Sequence, residues 1–400
     1  MWLNDLRIVL PDRIIERGAI QIKHGHIKAI VEGSGPDNGT PMDGLIAIPG
    51  LIDLHGDMLE RDVEPRPNAR FPAGLGLIEL DKRLAGAGIT TAYAAISFSW
   101  KRDDIRSQEN AVRLIDAIHD LNDRLLVDMR VHARFEVNNP LTGPVLSELL
   151  DAKKVQLVSI MDHTPGQGQY GDVDRYLDFM RRWLGVDLTG VDDDLQERLI
   201  TALRSKITAK VEEPRDWNVI ADVMRVALAH NIPVASHDDD TLLKVREQAE
   251  MGVTISEFPV TVEAARAARD HGMHVIMGAP NAYRGQSTSN NLSAMDAIRA
   301  GLVDILATDY YPAAMLHTAF KLAKDGIMPL VESVKLVSTN AADAMHLSDR
   351  GRIEEGLSAD LVLVEDGPDY PRVRGTIRHG VPIYWDAHLA KLSQVLRLPH

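Results

Sequence analysis

At 400 residues, 45% of them hydrophobic, the chain is long enough to fill one large domain, or one domain with a smaller satellite. It contains no cysteine, which excludes disulfides, thiolate ligands and a cysteine nucleophile, so any metal site must be built from histidine and carboxylate. A formal charge of −14 argues against a broad nucleic-acid-binding face, but leaves room for a small anionic substrate held by local arginines and a metal.

In chain order, the first segment reads as short strands around turns, "LRIVLPD" and "ERGAIQIKHGHIKAIVE", followed by the loop "GSGPDNGTPMDG". From residue 48 onward, apolar β-rich runs alternate with helical stretches. Eight such runs can be counted: "AIPGLIDLH", "GITTAYAAIS", "LVDMRVHARFE", "QLVSIMDH", "IPVASHD", "TISEFPV", "HVIMGAP" and "VDILATDYYP". They predict an α/β fold, a (β/α)8 TIM barrel over 48–349 with its active site at the C-terminal ends of the strands. The connection across 164–231 is unusually long and reads as a helical excursion, either packed on the barrel or serving as a lid or a homo-oligomer contact. The last stretches, "GRIEEGLSADLVLVED" and "VRGTIRHGVPIYW", return to the strand and turn texture of the start. Residues 1–47 and 350–400 are therefore expected to build one small β-sandwich together. No apolar run approaches the roughly 18 residues needed to span a bilayer, and the N-terminus lacks a secretory pattern, so a cytoplasmic protein with no membrane or nucleic-acid partner is expected.

In such a barrel, the polar residues that close an apolar run converge on one pocket. These are His55, Asp57, Glu136, His163, His237 and Asp309. One histidine at a strand end is more often structural than ligating, but six nitrogen and carboxylate donors on one rim point to a divalent metal, zinc before manganese. His55 and Asp57, two apart on a strand, share a face and can hold one ion together. Along "RVHARFE", Arg130, His132, Arg134 and Glu136 share the inward face, an arrangement that requires mutual pairing or a ligand. Arg134 is read as a partner of Glu136 or of an anionic substrate, with His132 and Arg130 deeper and structural. Asp238 is expected behind the metal ligands, Asp239 or Asp240 as a helix cap, and Glu257 either as the orienter of a ligand or as a pairing partner within the barrel. His119, His230, His271 and His317 fall in helical or loop contexts and read as surface residues.

With these residues in view, the chain resembles the amidohydrolase superfamily through "IPGLIDLHGD", "GITT" and "GRIEEGLSADLVLV". Nearly its whole length resembles the PhnM family of the carbon–phosphorus lyase pathway. The segments that carry this are "HGDMLERDVEPRPNARFP", "SIMDHTPGQGQY", "VASHDDDT", "EFPVTVEAARAARDHGMHVIMGAPN" with "RGQS", and "DILATDYYPAAML". The resemblance implies a phosphohydrolase that converts α-D-ribose 1-methylphosphonate 5-triphosphate to the 5-phosphate and pyrophosphate. Two departures stand out: Asp57 replaces the second histidine of the first motif, and the expected ligands fall on the third, fourth and fifth strands, where many relatives place histidines on the fifth and sixth. A glutamate from the third strand resembles the sugar-phosphate deacetylases of the superfamily.

On this reading two ions are held by the six rim residues, and Asp309 is also the general base. Arg66, fixed between Pro65 and Pro67, is expected over the triphosphate, with Arg61 and Arg70 as further candidates, because guanidinium makes forked bonds to phosphate. Arg134, Gln167, Asn281, Arg284 and Tyr310 complete the expected substrate contacts. Two rivals remain at this point: a hydrolase of the same fold acting on a C–N bond, for which the arginine loop has no use, and a non-catalytic barrel scaffold.

Overall fold

The computed structural model describes residues 1–98, 105–164, 168, 198, 201, 205, 215–287 and 291–393, the last three without side chains. Strands β1 (Trp2–Val9), β2 (Ile14–Lys23), β3 (His26–Glu32), β4 (Thr40–Pro41) and β5 (Leu45–Pro49) come first. There follow β6 (Leu51–Gly56), β7 (Ile89–Phe98), β8 (Asp128–Glu136), β9 (Leu157–Met161), β10 (Val234–His237), β11 (Ile255–Glu257), β12 (His274–Gly278) and β13 (Ile305–Ala307). The chain returns with β14 (Leu361–Asp366), β15 (Pro371–Arg378) and β16 (Val381–Trp385).

Strands β6 to β13 form one parallel sheet in sequence order, the eight strands expected from the apolar runs. The seam between the last and first strands is short. It consists of a single parallel bridge from Gly56 to Asp309, where Asp57 N donates to Asp309 O at 2.7 Å and Asp309 N to His55 O at 2.9 Å. Beneath the bridge the buried Asp53 carboxylate clasps Thr308, accepting from its backbone N at 2.8 Å and its Oγ1 at 2.6 Å.

Side-chain alternation explains why this sheet curls around a core. Ile52, Leu54, Tyr93, Leu157, Ala235, Ile255, Ile276 and Ile305 fill the interior, while Leu51, Ile89, Val131, Ala133 and Phe135 pack outward against the helices. On β8 the expected row holds: the apolar residues face the helices, and His132, Arg134 and Glu136 are buried on the inward side.

The two chain ends join in a second sheet, ordered β16-β15-β14-β5-β1-β2-β3, with β4 on β1. Its edge strand β3 is tied back to the segment that leads into β14, where His26 bridges Ser358 and Ala359 N donates to Gly25 O. Leu3, Leu6, Ile20, Ile27, Leu361 and Ile377 share its core. Of the 164–231 excursion, the helix Trp217–Ala229 is described, capped by the Asp216 side chain on the backbone N of Asn218 and Val219. Gln167 lies outside the described residues. None of the described helices is long and apolar enough to cross a membrane.

One cap differs from expectation. The helix Leu242–Glu250 is capped by Thr241, whose side chain accepts from Lys244 N, and not by Asp239 or Asp240. Asp239 is buried and accepts from Ser236 Oγ and Ser256 Oγ, and Asp240 accepts from Gly168 N. A threonine in extended backbone immediately before the first turn is the better placed acceptor.

Candidate active site

The site is built in two layers at the C-terminal mouth of the barrel. The lower layer centres on Glu257, fully buried at the end of β11. Its Oε1 accepts from His55 Nδ1 at 2.8 Å, and its Oε2 accepts from His237 Nδ1 at 2.7 Å and from Ser159 Oγ at 3.0 Å. Burial works to raise its pKa, but the charges of His55 and His132 and the two imidazole hydrogen bonds hold the carboxyl well below the ordinary range. His132 sits beside it, with Nδ1 donating to Leu54 O at 3.0 Å and Nε2 against Ser159 Oγ, and burial drives its pKa down to about 3. An ionised Glu257 requires the proton of both His55 and His237 to be on Nδ1, which turns their Nε2 atoms toward the mouth.

The upper layer is where those Nε2 atoms meet carboxylates. His55 Nε2 lies 3.3 Å from Asp57 Oδ1. Asp238 Oδ2 lies 3.7 Å from His163 Nε2 and 3.8 Å from His237 Nε2, and it is buried with no hydrogen-bond partner among the described residues. Zinc bonds of 2.0–2.1 Å in tetrahedral geometry set donor atoms roughly 3.3 Å apart, so both groups have the spacing of ligands around one ion. An orphaned carboxylate oxygen facing two imidazole nitrogens is otherwise costly, and a cation satisfies all three. The residues therefore fit a divalent metal. His55, His132 and Glu257 also lie close enough to be considered as a ligand set. Their hydrogen bonds to one another, to Ser159 and to Leu54 make them a supporting layer instead. Glu136 lies against the second group, with its Oε1 at 2.5 Å from His163 Nδ1.

The surrounding charges are strongly coupled. Burial opposes charge on His55, but Glu257 and Asp57 on either side raise its pKa to about 10 in the metal-free chain. Burial likewise opposes charge on Asp57, yet Arg134 and His55 hold its carboxyl far below the usual range. Arg134 Nη1 reaches Asp57 Oδ1 at 2.8 Å, so the guanidinium partners Asp57 and not Glu136. Asp309 is pushed up to about 6, mainly by burial with a contribution from Asp57, against the pull of His55, Arg134 and Arg61.

The backbone aims these groups. Asp238, Phe258 and Asp309 all adopt left-handed φ, at 52°, 54° and 54°. Aspartate tolerates that region, whereas a phenylalanine there is strained. The Phe258 ring lies edge-on to His55 and His237, with centroids 4.9 and 5.5 Å away, and forms a wall of the site. Gly278 ends β12 where a Cβ would come within 3.2 Å of Asp309 Oδ2.

This frame, two histidine and carboxylate groups on the mouth of a parallel eight-stranded barrel, agrees with the family comparison. Residues 82–394 match the model of the amidohydrolase family. The chain belongs to the amidohydrolase family. It is 35% identical over 389 residues to the alpha-D-ribose 1-methylphosphonate 5-triphosphate diphosphatase of Escherichia coli (strain K12), covering 96% of this chain and 100% of that one. A dihydroorotase of Wolbachia sp. subsp. Drosophila simulans (strain wRi) is 22% identical over 405 residues, covering 90% and 85% of the two chains. Among solved structures, N-acetylglucosamine-6-phosphate deacetylase from Pasteurella multocida matches with a TM-score of 0.64 at 12% identity, over 95% of this chain and 98% of that one. The 5-methylcytosine deaminase from Klebsiella pneumoniae matches with a TM-score of 0.63 at 14% identity, over 96% and 98%.

Around the mouth of this amidohydrolase the expected substrate contacts diverge. Arg66 is exposed in the loop after the short helix Met58–Val63, Arg70 pairs with Glu64 at 2.5 Å, and Arg61, in the last turn of that helix, is the arginine of this stretch whose charge reaches Asp309. Arg284 Nη1 approaches Tyr310 OH at 3.5 Å beside a groove of about 910 Å³ that Tyr283, Tyr311 and Tyr370 also line. None of the six expected ligands lines that groove. Asn281 uses its side chain locally, Oδ1 accepting from Ala294 N at 3.0 Å and Nδ2 donating to Leu292 O at 3.5 Å, so it shapes the loop. His317, expected at the surface, is half-buried between the rings of Tyr283 and Tyr370.

Sequence reasoning left Asp238 behind the ligands and Glu257 unassigned, and it passed over Ser159. Glu257 is the one charged residue within the run "TISEFPV", and that was the available signal.

Proposed function

We propose that this amidohydrolase is a metal-dependent diphosphatase that hydrolyses alpha-D-ribose 1-methylphosphonate 5-triphosphate, or a closely similar ribose 5-triphosphate, to the 5-phosphate and pyrophosphate. The observation that carries this reading is the 35% identity, across 96% of the chain, to the Escherichia coli enzyme of that name. The site chemistry agrees with it. Two ions are proposed, zinc before manganese: one held by His55 and Asp57 with Asp309, the other by His163, His237 and Asp238, with Glu136 against that second group. When bound, such ions lower the pKa of water and stabilise charge developing on phosphoryl oxygens.

The protein residues do the rest. The carboxylate of Asp309 accepts the proton of the attacking water, and the anhydride bond between the α- and β-phosphoryl groups breaks, releasing pyrophosphate. Arg134 keeps Asp57 ionised and fixed. Arg61, Arg66 and Arg284 offset the negative charge of the substrate at the mouth, against a chain whose net charge is −14, and Tyr310 bounds the sugar. Gln167 is a further proposed contact.

The test is a panel of ribose 5-triphosphates, nucleoside triphosphates, N-acyl sugars and cyclic amides offered to metal-loaded protein, with pyrophosphate, phosphate and amine measured separately. Pyrophosphate from a ribose 5-triphosphate is expected. Amine release with inert triphosphates would replace this reading with C–N hydrolysis, and a chain that neither binds metal nor turns over any of them would be a scaffold.

A further inference from the structure

We propose that Glu257 is a positioning residue that serves both ion groups at once, one buried carboxylate fixing the ion-facing tautomer of His55 and of His237. The inference rests on the metal-dependent reading of the site and adds to it a reason for the two groups to fill together.

Each oxygen of Glu257 is committed. Oε1 takes His55 Nδ1 at 2.8 Å, and Oε2 takes His237 Nδ1 at 2.7 Å together with Ser159 Oγ at 3.0 Å. His55 belongs to the pair with Asp57, and His237 to the group with His163 and Asp238. The two imidazoles lie nearly parallel, with centroids 5.8 Å apart, and the carboxylate bridges their Nδ1 atoms. With full burial and no oxygen to spare, Glu257 is not itself a ligand. Ser159 and His132 buttress it from below.

This arrangement predicts an asymmetric failure. A glutamine has one accepting oxygen and one donating nitrogen. It can accept from one imidazole Nδ1–H, but its NH2 obliges the other imidazole to receive at Nδ1 and carry its proton on Nε2. That histidine then has no lone pair for an ion, so Glu257→Gln removes one ion and leaves the other.

The experiment measures zinc per chain after loading and desalting, without substrate. Wild type is expected to retain two ions, Glu257→Gln one, with the lost position weakened roughly 10–100-fold. Ser159→Ala, which keeps both imidazole bonds, is expected to retain two. If Glu257→Gln holds two ions as tightly as wild type, or wild type holds fewer than two, the proposal is overturned. Should the glutamine variant not fold, long-range proton–nitrogen spectra of nitrogen-15 histidine in the zinc-loaded wild type decide the matter: Nδ1–H tautomers for His55 and His237 support it, and an Nε2–H tautomer at either overturns it. These readouts involve no triphosphate, so a failed substrate panel and a failed tautomer test are separate results.

Discussion

Replacing Arg134 with methionine tests whether this buried cation belongs to the scaffold or to the substrate. Its side chain is 8% exposed, its Nη1 holds Asp57 Oδ1 at 2.8 Å, and its Nε rests on Met161 Sδ at 3.2 Å. Methionine keeps most of the stem volume and removes the charge, so Asp57 loses the strongest influence keeping it ionised after burial is set aside. Breaking one partner out of a buried pair costs about 3–5 kcal/mol. For 400 residues the unfolding entropy is about 0.8 kcal/mol/K, so the midpoint should drop by about 5 °C. That loss is expected in chelator-treated protein. In zinc-loaded protein an ion beside Asp57 supplies the missing charge, and the loss should shrink to the 1–3 kcal/mol of an unmade hydrogen bond. The assay is urea and thermal unfolding of both variants with and without zinc. A metal-free loss below about 1 kcal/mol would refute the scaffold role. A rise in KM with unchanged stability would put Arg134 on the substrate instead.

Asp309→Asn should lower kcat by roughly 100- to 10,000-fold while retaining most of the bound metal, and full activity in that variant would remove Asp309 from the reaction. Because burial raises Asp309 to about 6, its basic form is lost as pH falls, and kcat/KM should decline tenfold per unit below pH 6 or lower, since bound cations favour the carboxylate. A pH profile that is flat down to pH 4 would contradict this. In the metal-free chain His55 is raised from 6.5 to about 10, so the stability it contributes is complete below pH 6.5 and disappears as pH climbs to 10. Urea midpoints with chelator should fall between pH 6.5 and 10, and the absence of any fall would show that His55 is not held between its two carboxylates. Asp53→Ala removes both acceptors for Thr308 and should cost about 1–3 kcal/mol, read as a lower urea midpoint; an unchanged midpoint would mean that the barrel seam does not depend on them.

The barrel was legible because each of its strands lies in a short β-rich run that alternates with a helical stretch, and the inward row of β8 because period-two alternation survives even when the buried face is charged. What sequence alone could not supply was pairing across distance. Glu257 and His55 are 202 positions apart, and nothing local distinguishes a carboxylate that orients two histidines from one that simply neutralises a neighbour. Asp238 was read as lying behind the ligands, since its backbone turn is not written in the sequence. It takes a left-handed φ of 52°, and its Oδ2 lies 3.7 Å from His163 Nε2 and 3.8 Å from His237 Nε2. The partner of Arg134 was left open between Glu136 and an anionic substrate; the structure pairs it with Asp57, 77 positions away and brought near only by the alignment of β6, β7 and β8. The terminal strands were read as one unit built from both chain ends, as found, but the contact of the β2–β3 turn with Ser358 and Ala359 leaves no trace in composition.

The seam at Gly56 and Asp309 also bears on how the protein is made. His55 and Asp57 leave the ribosome some 250 residues before Thr308 and Asp309, yet they form one group with them only when the final strand docks. A nascent or truncated polypeptide lacking that strand holds the early donors without the carboxylate that completes them. With Asp309 as the proposed general base, hydrolysis would wait until the ring is finished.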